Sequence, residues 1–170
     1  MGKVEGTRPI ANVDEVKTFP TGKGEKFAAQ LGPIGRLIGM KKLGCMVTVV
    51  EPGKAAFPFH VHHGMEEMFV ILSGEGTYRF GTERYPVGPG DILAAPCGGP
   101  ESAHQIINTG TTTLKYLGIS TKADPEVVEY PDSDKFAVFS QSKDGTPLAA
   151  RLRFIGRTDT TLDYWDGEDA

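Results

Sequence analysis

Apolar residues in this chain occur in short runs that are rich in β-branched and aromatic side chains and bounded by glycine or proline. Such a pattern is typical of β-strands joined by tight turns. It predicts about eight short strands between residues 43 and 120, among them 43–50, 56–63, 67–73, 77–80, 92–96, 103–110 and 112–120. Turn signals recur at roughly ten-residue spacing, as they do in sandwiches and barrels. The sequence therefore predicts an all-β fold.

Three local predictions are more specific. The turn Gly74-Glu75-Gly76 predicts a hairpin between strands 67–73 and 77–80. Residues 81–91 are rich in glycine and proline and are expected to form a turn-rich connection. Among the first 42 residues, Glu25–Gln30 is the one helix-like piece.

The segments on either side of the strand-rich middle have a different pattern of apolar and polar residues. Residues 1–42 are predicted to form an N-terminal arm that packs on the barrel, residues 43–120 the barrel core, and residues 121–170 a C-terminal extension with one short strand at 150–156. A chain of 170 residues suits one domain. The arm, together with Tyr164 and Trp165, offers more strand edges and apolar surface than one barrel needs. Because exposed edges are generally paired or covered, we expect a homodimer.

Composition excludes several classes of partner. Lys and Arg total 18 against 22 for Asp and Glu, a net charge of −4, which is not the electrostatic footprint of a duplex-DNA binder or a polybasic membrane-surface protein. The chain has no apolar run long enough to span a bilayer and no apolar segment near its first residue, so neither a membrane span nor a secretion signal is expected. Two cysteines, Cys45 and Cys97, make a reduced cytoplasmic setting the default expectation.

All four histidines lie in the strand-rich middle: His60, His62, His63 and His104. Residues i and i+2 of a strand face the same side, so the side chains of His60 and His62 are expected to project together. A carboxylate follows at Glu66 or Glu67, and His104 begins another predicted strand. Three imidazoles and one carboxylate suit a divalent transition metal with open coordination positions. A lone histidine on a strand is more often a surface or satisfied core residue, so spacing alone leaves the metal hypothesis open.

Two spaced motifs resemble those of the cupin superfamily, small β-barrels with a metal at the barrel mouth. The first is Gly53-x6-His60-x-His62-x4-Glu67-x6-Gly74, and the second is Gly90-x5-Pro96-x-Gly98-x5-His104-x3-Asn108. The resemblance implies a double-stranded β-helix, or jelly-roll barrel, that holds one divalent transition metal ion (Fe, Mn, Zn or Ni). The implied ligands are His60, His62, Glu67 and His104.

One departure from the second motif concerns the position of His104. Five residues separate Gly98 from His104 where two are typical, so 99–101 is interpreted as an insertion at the mouth of the barrel. Alternation along the strands, together with the neighbouring strand 77–80, predicts the lining of the substrate pocket. The predicted lining residues are Phe69, Ile71, Tyr78, Ile106 and Asn108.

Within the superfamily, the chain is similar to small single-domain bacterial cupins named as sugar-phosphate (mannose-6-phosphate) isomerase-like proteins. That similarity implies a metal-dependent enzyme on a small polar metabolite, either a sugar or hydroxy-carbonyl isomerase, with Glu101 as a candidate base, or a dioxygenase. The two motifs hold no cluster of Arg or Lys, which counts against a sugar phosphate. A non-catalytic module that binds a metal or small ligand is the alternative function, and a metal-free structural barrel is a third.

Overall fold

A computed structural model describes residues 8–140 and 152–168. These residues form thirteen strands and no α-helix, so the predicted all-β class is confirmed. None of the described residues lies in a long apolar helix of the kind that crosses a bilayer. The strands are β1 Phe19–Lys23, β2 Phe27–Pro33, β3 Leu43–Val50, β4 Val61–His62, β5 Glu67–Ser73, β6 Gly76–Phe80, β7 Glu83–Val87, β8 Ile92–Ala95, β9 His104–Ile107, β10 Leu114–Thr121, β11 Glu126–Tyr130, β12 Lys135–Ser140 and β13 Leu152–Gly156.

The strands form three hydrogen-bonded sheets. The largest has the order β1-β2-β3-β10-β5-β8, the second β13-β12-β11-β4, and the third β7-β6-β9. The named pairings of neighbouring strands are all antiparallel. The main hydrophobic core fills the space between the sheets and includes the fully buried Val50, Ile71 and Leu114. Burying such side chains, at about 1.5–3 kcal/mol each, is the main force holding the sheets together.

Four local predictions are wrong. The helix-like piece Glu25–Gln30 runs into β2, because Ala29 and Leu31 pair along β3 and Phe27 forms a bridge with Ala55. The predicted hairpin does not form, since β5 pairs with β10 and β8 while β6 pairs with β7 and β9. The turn-rich segment 81–91 contains β7, which forms the hairpin with β6. The C-terminal extension contributes three described strands, β11, β12 and β13, rather than one.

The flanking segments are integral to the sheets. Strands β1 and β2 extend the large sheet from β3, and β11 pairs with β4 beside His62. Of the strand predicted at 150–156, residues 150 and 151 lie outside the described residues, and the rest is β13. The residue pattern shows where the two flanking segments begin, but it does not show that their strands join the sheets around the histidines.

Candidate metal centre

Backbone pairing sets the positions of the histidines. His60 and His104 form an isolated antiparallel bridge, with N–H···O distances of 3.1 Å and 2.7 Å in the two directions. His62 ends the short strand β4, and its neighbour Val61 is fully buried. The inserted segment becomes a 3-10 turn at Pro100–Ser102, after which His104 begins β9 opposite Phe80. The insertion therefore does not displace His104 from its strand.

One carboxylate oxygen lies at the centre of the three imidazoles. The distances from Glu67 Oε2 to the Nε2 atoms are 3.0 Å for His104, 3.4 Å for His62 and 3.8 Å for His60. Ligand atoms of His60, His62 and Glu67 all lie within 4.8 Å of one another. Glu66 is exposed and takes no part in this group, so the structure turns Glu67 toward the imidazoles.

Neighbouring groups orient two of the rings. His60 Nδ1 lies 2.8 Å from the carbonyl oxygen of Pro58, which can only accept, so Nδ1 carries the proton and Nε2 has a free lone pair. His62 Nδ1 lies 3.4 Å from Oε1 of the buried Glu126. The same oxygen accepts hydrogen bonds from the backbone N–H groups of His63 and Gly64, at 3.1 Å and 3.2 Å. Carboxylates behind ligating histidines commonly fix the ring and its tautomer.

The pKa shifts of Glu67 and His60 favour a carboxylate and a neutral imidazole at these two positions. Burial and then the neighbouring His104 and His62 lower the pKa of His60 to about 4. Burial acts to raise the pKa of Glu67, but hydrogen bonds from His104 and His62 outweigh it and hold that pKa well below its usual range. Burial also opposes protonation of His62, yet Glu67 and Glu126 together raise its pKa.

The donor spacing fits a transition metal ion. Metal–nitrogen contacts of about 2.0–2.2 Å place neighbouring donor atoms about 3.0 Å apart in octahedral and about 3.4 Å apart in tetrahedral coordination. The three Nε2–Oε2 distances bracket these values. Imidazole and carboxylate together suit Fe, Mn, Zn or Ni rather than Ca or Mg. The group of His60, His62 and Glu67 is therefore able to hold a metal ion, whereas His104 lies beside it, with its Nε2 3.0 Å from Glu67 Oε2, and is not part of that mutually close group.

A cavity of about 520 Å³ adjoins the cluster, and His60, His62 and Glu67 lie on its wall. Of the predicted pocket residues, Phe69 also lines it, whereas Ile71, Tyr78, Ile106 and Asn108 are not among the described residues that do so. The side chains of Ile71, Tyr78 and Ile106 pack in the main core. Alternation predicts which side chains point inward, but not how far along each strand the open space extends.

Asn108 instead closes a turn. Its Nδ2 donates to the carbonyl oxygens of Val50 and Thr112, at 2.8 Å and 2.9 Å, and its Oδ1 accepts from Gly110 N–H at 3.0 Å. The side chain is fully buried. Hydrogen bonding of this kind is what keeps a buried amide in place.

Glu101 and His63 both lie outside the cavity wall. Glu101 is exposed and accepts a hydrogen bond from Gly99 N–H at 3.0 Å, which does not support a role as base. His63 points outward and pairs with Glu129 at 2.6 Å.

Sequence reasoning missed four residues of this region: Arg36, Lys122, Glu126 and Tyr130. Arg36, Lys122 and Tyr130 line the cavity, and Glu126 contacts His62. All four lie outside the two motifs, and strand pairing brings them to the site. The sequence does not indicate that the carboxylate of Glu126 is buried, apart from the two valines that follow it in β11.

Comparison with known proteins gives a consistent result. The family model of the cupin domain matches residues 46–120. An oxalate-binding protein from Thermotoga maritima is 28% identical over 120 residues, covering 68% of this chain and 95% of that protein.

Two solved structures extend the likeness over most of the chain. One, from Acidithiobacillus ferrooxidans and provisionally named a sugar phosphate isomerase, is 30% identical with a TM-score of 0.68, and 80% of each chain is covered. A sugar phosphate isomerase of the cupin superfamily from Silicibacter pomeroyi is 21% identical with a TM-score of 0.73, covering 93% of this chain and 98% of that one. The second likeness shows the fold alone. With the motifs, the barrel and the 30% identical relative in agreement, the chain belongs to the cupin superfamily.

Proposed function

We propose that the protein is a metal-dependent enzyme acting on a small polar metabolite. One divalent transition metal ion (Fe, Mn, Zn or Ni) is held by His60, His62, Glu67 and His104. The observation that carries the proposal is the convergence of three imidazole Nε2 atoms on Glu67 Oε2, at 3.0–3.8 Å. Water and substrate reach the donors through the adjoining cavity.

The bound ion supplies Lewis-acid polarisation of a substrate oxygen or, if it is iron, activation of dioxygen. The chain's own residues bind and orient the substrate. Tyr130 lines the cavity beside His60, with ring centroids 6.3 Å apart, and burial raises the pKa of its hydroxyl. That hydroxyl stays protonated at neutral pH and donates a hydrogen bond to a ligand oxygen.

The reaction class we favour is isomerisation of a sugar or hydroxy-carbonyl compound, with dioxygen chemistry as the second enzymatic possibility. The 30% identical relative that is provisionally named a sugar phosphate isomerase supports the first of these. Because one fold hosts many chemistries, such a name suggests which compounds to assay but does not identify the substrate of this protein.

A non-catalytic binding module is the second candidate function. The relative that favours it is the oxalate-binding protein, of which this chain covers 95%. In this case the same four donors hold an ion whose open positions bind a small chelating ligand, and no turnover follows.

Metal analysis of protein purified without chelator tests the common element of both candidates. We expect about one transition metal ion per chain, and its loss in His62→Ala. A protein with no stoichiometric ion would contradict both, leaving a metal-free barrel. Full metal occupancy in His62→Ala would show the ligand assignment to be wrong.

Turnover separates the enzyme from the binding module. Metal-loaded protein is assayed against hydroxy-ketones, aldoses and phenols, with oxygen consumption recorded in parallel. Product formation that disappears in His62→Ala supports the enzyme. Tight oxalate binding by a fully metal-loaded protein, without turnover of any panel member, supports the module.

A homodimer is proposed from the exposed C-terminal segment. The side chains of Leu152, Phe154 and Ile155 on β13 are about half exposed, and those of Tyr164 and Trp165 are 83% and 68% exposed. An apolar strand at the edge of a sheet is normally covered. Light scattering at micromolar concentration is expected to give twice the monomer mass, and a monomer would refute the proposal.

A cytoplasmic location is also proposed. Cys45 and Cys97 are both free thiols, as is usual in reducing compartments. Fractionation of cells that produce the protein should recover it with cytoplasmic markers, and its appearance in another fraction would contradict the proposal.

A further inference from the structure

Aromatic rings make up much of the cavity wall. Phe57, Phe69, Tyr116 and Phe139 line it, and Met46 adds a flexible apolar side chain. Phe69 and Tyr116 pack edge to face, with ring centroids 5.9 Å apart. A ligand rich in hydroxyl groups would lose hydrogen bonds to water against such a wall, whereas a hydrocarbon body gains from the contact.

Two cations lie on the same cavity. Arg36 follows β2, and Lys122 comes directly after β10. Both are near Leu43, the first residue of β3: Gly35 N–H bonds to the Cys45 carbonyl oxygen, and Thr121 pairs with Leu43. This is the end of the barrel at which Ser120 pairs with Glu67. The cations and the metal donors therefore lie at the same end.

The cavity thus has a charge preference of its own. Arg36 and Lys122 are exposed, and neither has an ion pair with another described residue. Among the described residues that line the cavity, the one carboxylate is Glu67, which lies within the imidazole cluster. An anionic group on a ligand would meet two cations, and no carboxylate other than Glu67 competes for them among the described lining residues.

We infer that the ligand is a small organic acid with an apolar body, aromatic or branched aliphatic, whose anionic group binds Arg36 and Lys122. This inference rests on the proposed function, because it concerns the cavity beside the same donors, and of the two compound classes proposed there it selects an acidic hydroxy-carbonyl compound over a sugar. A volume of about 520 Å³ is in the range of small-molecule sites. Sugar phosphates match the cations but not the ring-lined wall, so they are expected to bind more weakly.

The experiment is calorimetric titration of metal-loaded protein with four probes. The reference is 3-phenylpropanoate. Its amide, 3-phenylpropanamide, removes the charge, propanoate removes the ring, and glucose 6-phosphate supplies charge on a polar body. We expect 3-phenylpropanoate to bind at least tenfold more tightly than each of the other three. In Arg36→Gln/Lys122→Gln its affinity should fall at least tenfold, to near that of the amide.

Matched variants keep the outcome interpretable. Lys23→Gln and Arg84→Gln neutralise an exposed lysine and an exposed arginine that are not cavity residues, and should leave the affinity unchanged. Metal content and unfolding temperature are measured for every variant. Equal affinity for 3-phenylpropanoate and its amide, tighter binding of glucose 6-phosphate, or an undiminished affinity in the double variant would each overturn the inference.

Failure of the inference can be told apart from failure of the proposed function. A protein that holds its ion but prefers propanoate or glucose 6-phosphate contradicts the ligand class and leaves the metal centre standing. A protein that holds no ion, yet binds 3-phenylpropanoate through Arg36 and Lys122, contradicts the metal centre and supports the ligand class.

Discussion

Glu126 influences the candidate metal centre through another residue. It contacts His62 Nδ1 at 3.4 Å and is itself held by two backbone N–H groups. In Glu126→Gln the amide oxygen can keep the backbone contacts, but the charge that favours the required ring orientation is lost. We expect metal affinity to fall by about 10–100-fold, the usual effect of losing such a partner.

Glu129→Gln is the matched control, since Glu129 lies on the same strand but pairs with the outward-facing His63. Its metal affinity should stay within about twofold of the parent. Competition titration with a chromophoric chelator measures both variants. Equal affinities for the two would mean that Glu126 does not orient His62.

The low pKa of His60 makes the metal-free protein sensitive to acid. Its pKa is lowered to about 4 in the folded state, against an ordinary value of 6.5, so between these pH values the unfolded chain binds the extra proton more readily. Stability therefore rises with pH across this window and is lost on acidification, by at most about 3 kcal/mol from this residue. The pKa of His62 is raised, so this residue changes the stability of the fold at pH values above the range in which His60 does so.

Urea unfolding of chelator-treated protein at pH 4.5 and pH 6.5 measures this loss. In His60→Gln, whose amide can still donate to the Pro58 carbonyl, the difference between the two pH values should be smaller than in the parent. An unchanged difference would assign the acid sensitivity to other groups.

Residues close in sequence could be predicted and residues brought in by pairing could not. His60, His62 and Glu67 fall within eight positions, where strand alternation and motif spacing both apply. Arg36 and Lys122 reach the cavity, and Glu126 reaches His62, only because β2, β10 and β11 pair beside them. Charge patterning along the chain does not mark them, since charged residues of both signs recur along the whole sequence.

At the level of elements, the junction between β5 and β6 is set by Gly74. Its φ is +79°, and an added Cβ would lie 2.8 Å from Leu114 Cα and would also collide with the Thr113 carbonyl oxygen. Gly74→Ala should therefore cost more than the roughly 1–2 kcal/mol of left-handed backbone strain alone. Urea unfolding gives the difference in free energy.

Gly53→Ala is the control for strain without contact. Gly53 has a similar φ of +75°, but nothing lies within 4 Å of an added Cβ. We expect its cost to remain near the strain alone. Equal losses in the two variants would show that the approach of β10 to this junction is not what requires glycine at position 74.

Strand existence was more predictable than strand pairing. The bounds of β3 and β5 match the apolar runs 43–50 and 67–73, because a β-branched or aromatic run ends visibly at a turn. The hairpin was predicted because strands close in sequence often pair with each other. It does not form because β5 pairs with β10 and β8 instead. The residues of a turn do not by themselves show whether the strands on either side pair with each other or belong to different sheets.

For the whole molecule, the candidate metal centre joins all three sheets. His62 belongs to the sheet of β4, Glu67 to that of β5, and His104 to that of β9. An ion that binds the folded state alone stabilises it by about 2.7 kcal/mol at a hundredfold excess over Kd. For a chain of this size we expect chelation to lower Tm by about 5–10 °C.

Differential scanning calorimetry with and without chelator measures this shift. Glu67→Gln, which loses the central carboxylate, should unfold at a temperature that chelator does not change. A parent protein whose Tm stays constant while metal analysis shows the ion leaving would contradict the idea that the ion ties the sheets together.

The reciprocal main-chain bonds between His60 and His104 have a further consequence. Because these bonds set the separation of the two Cα atoms, that separation depends little on which side chains line the cavity. This bridge needs no ion to form, so one ion could replace another at the centre without unfolding the chain. Cavity side chains are then free to diversify around a constant centre, so related barrels can exchange one ligand for another while keeping the same metal chemistry.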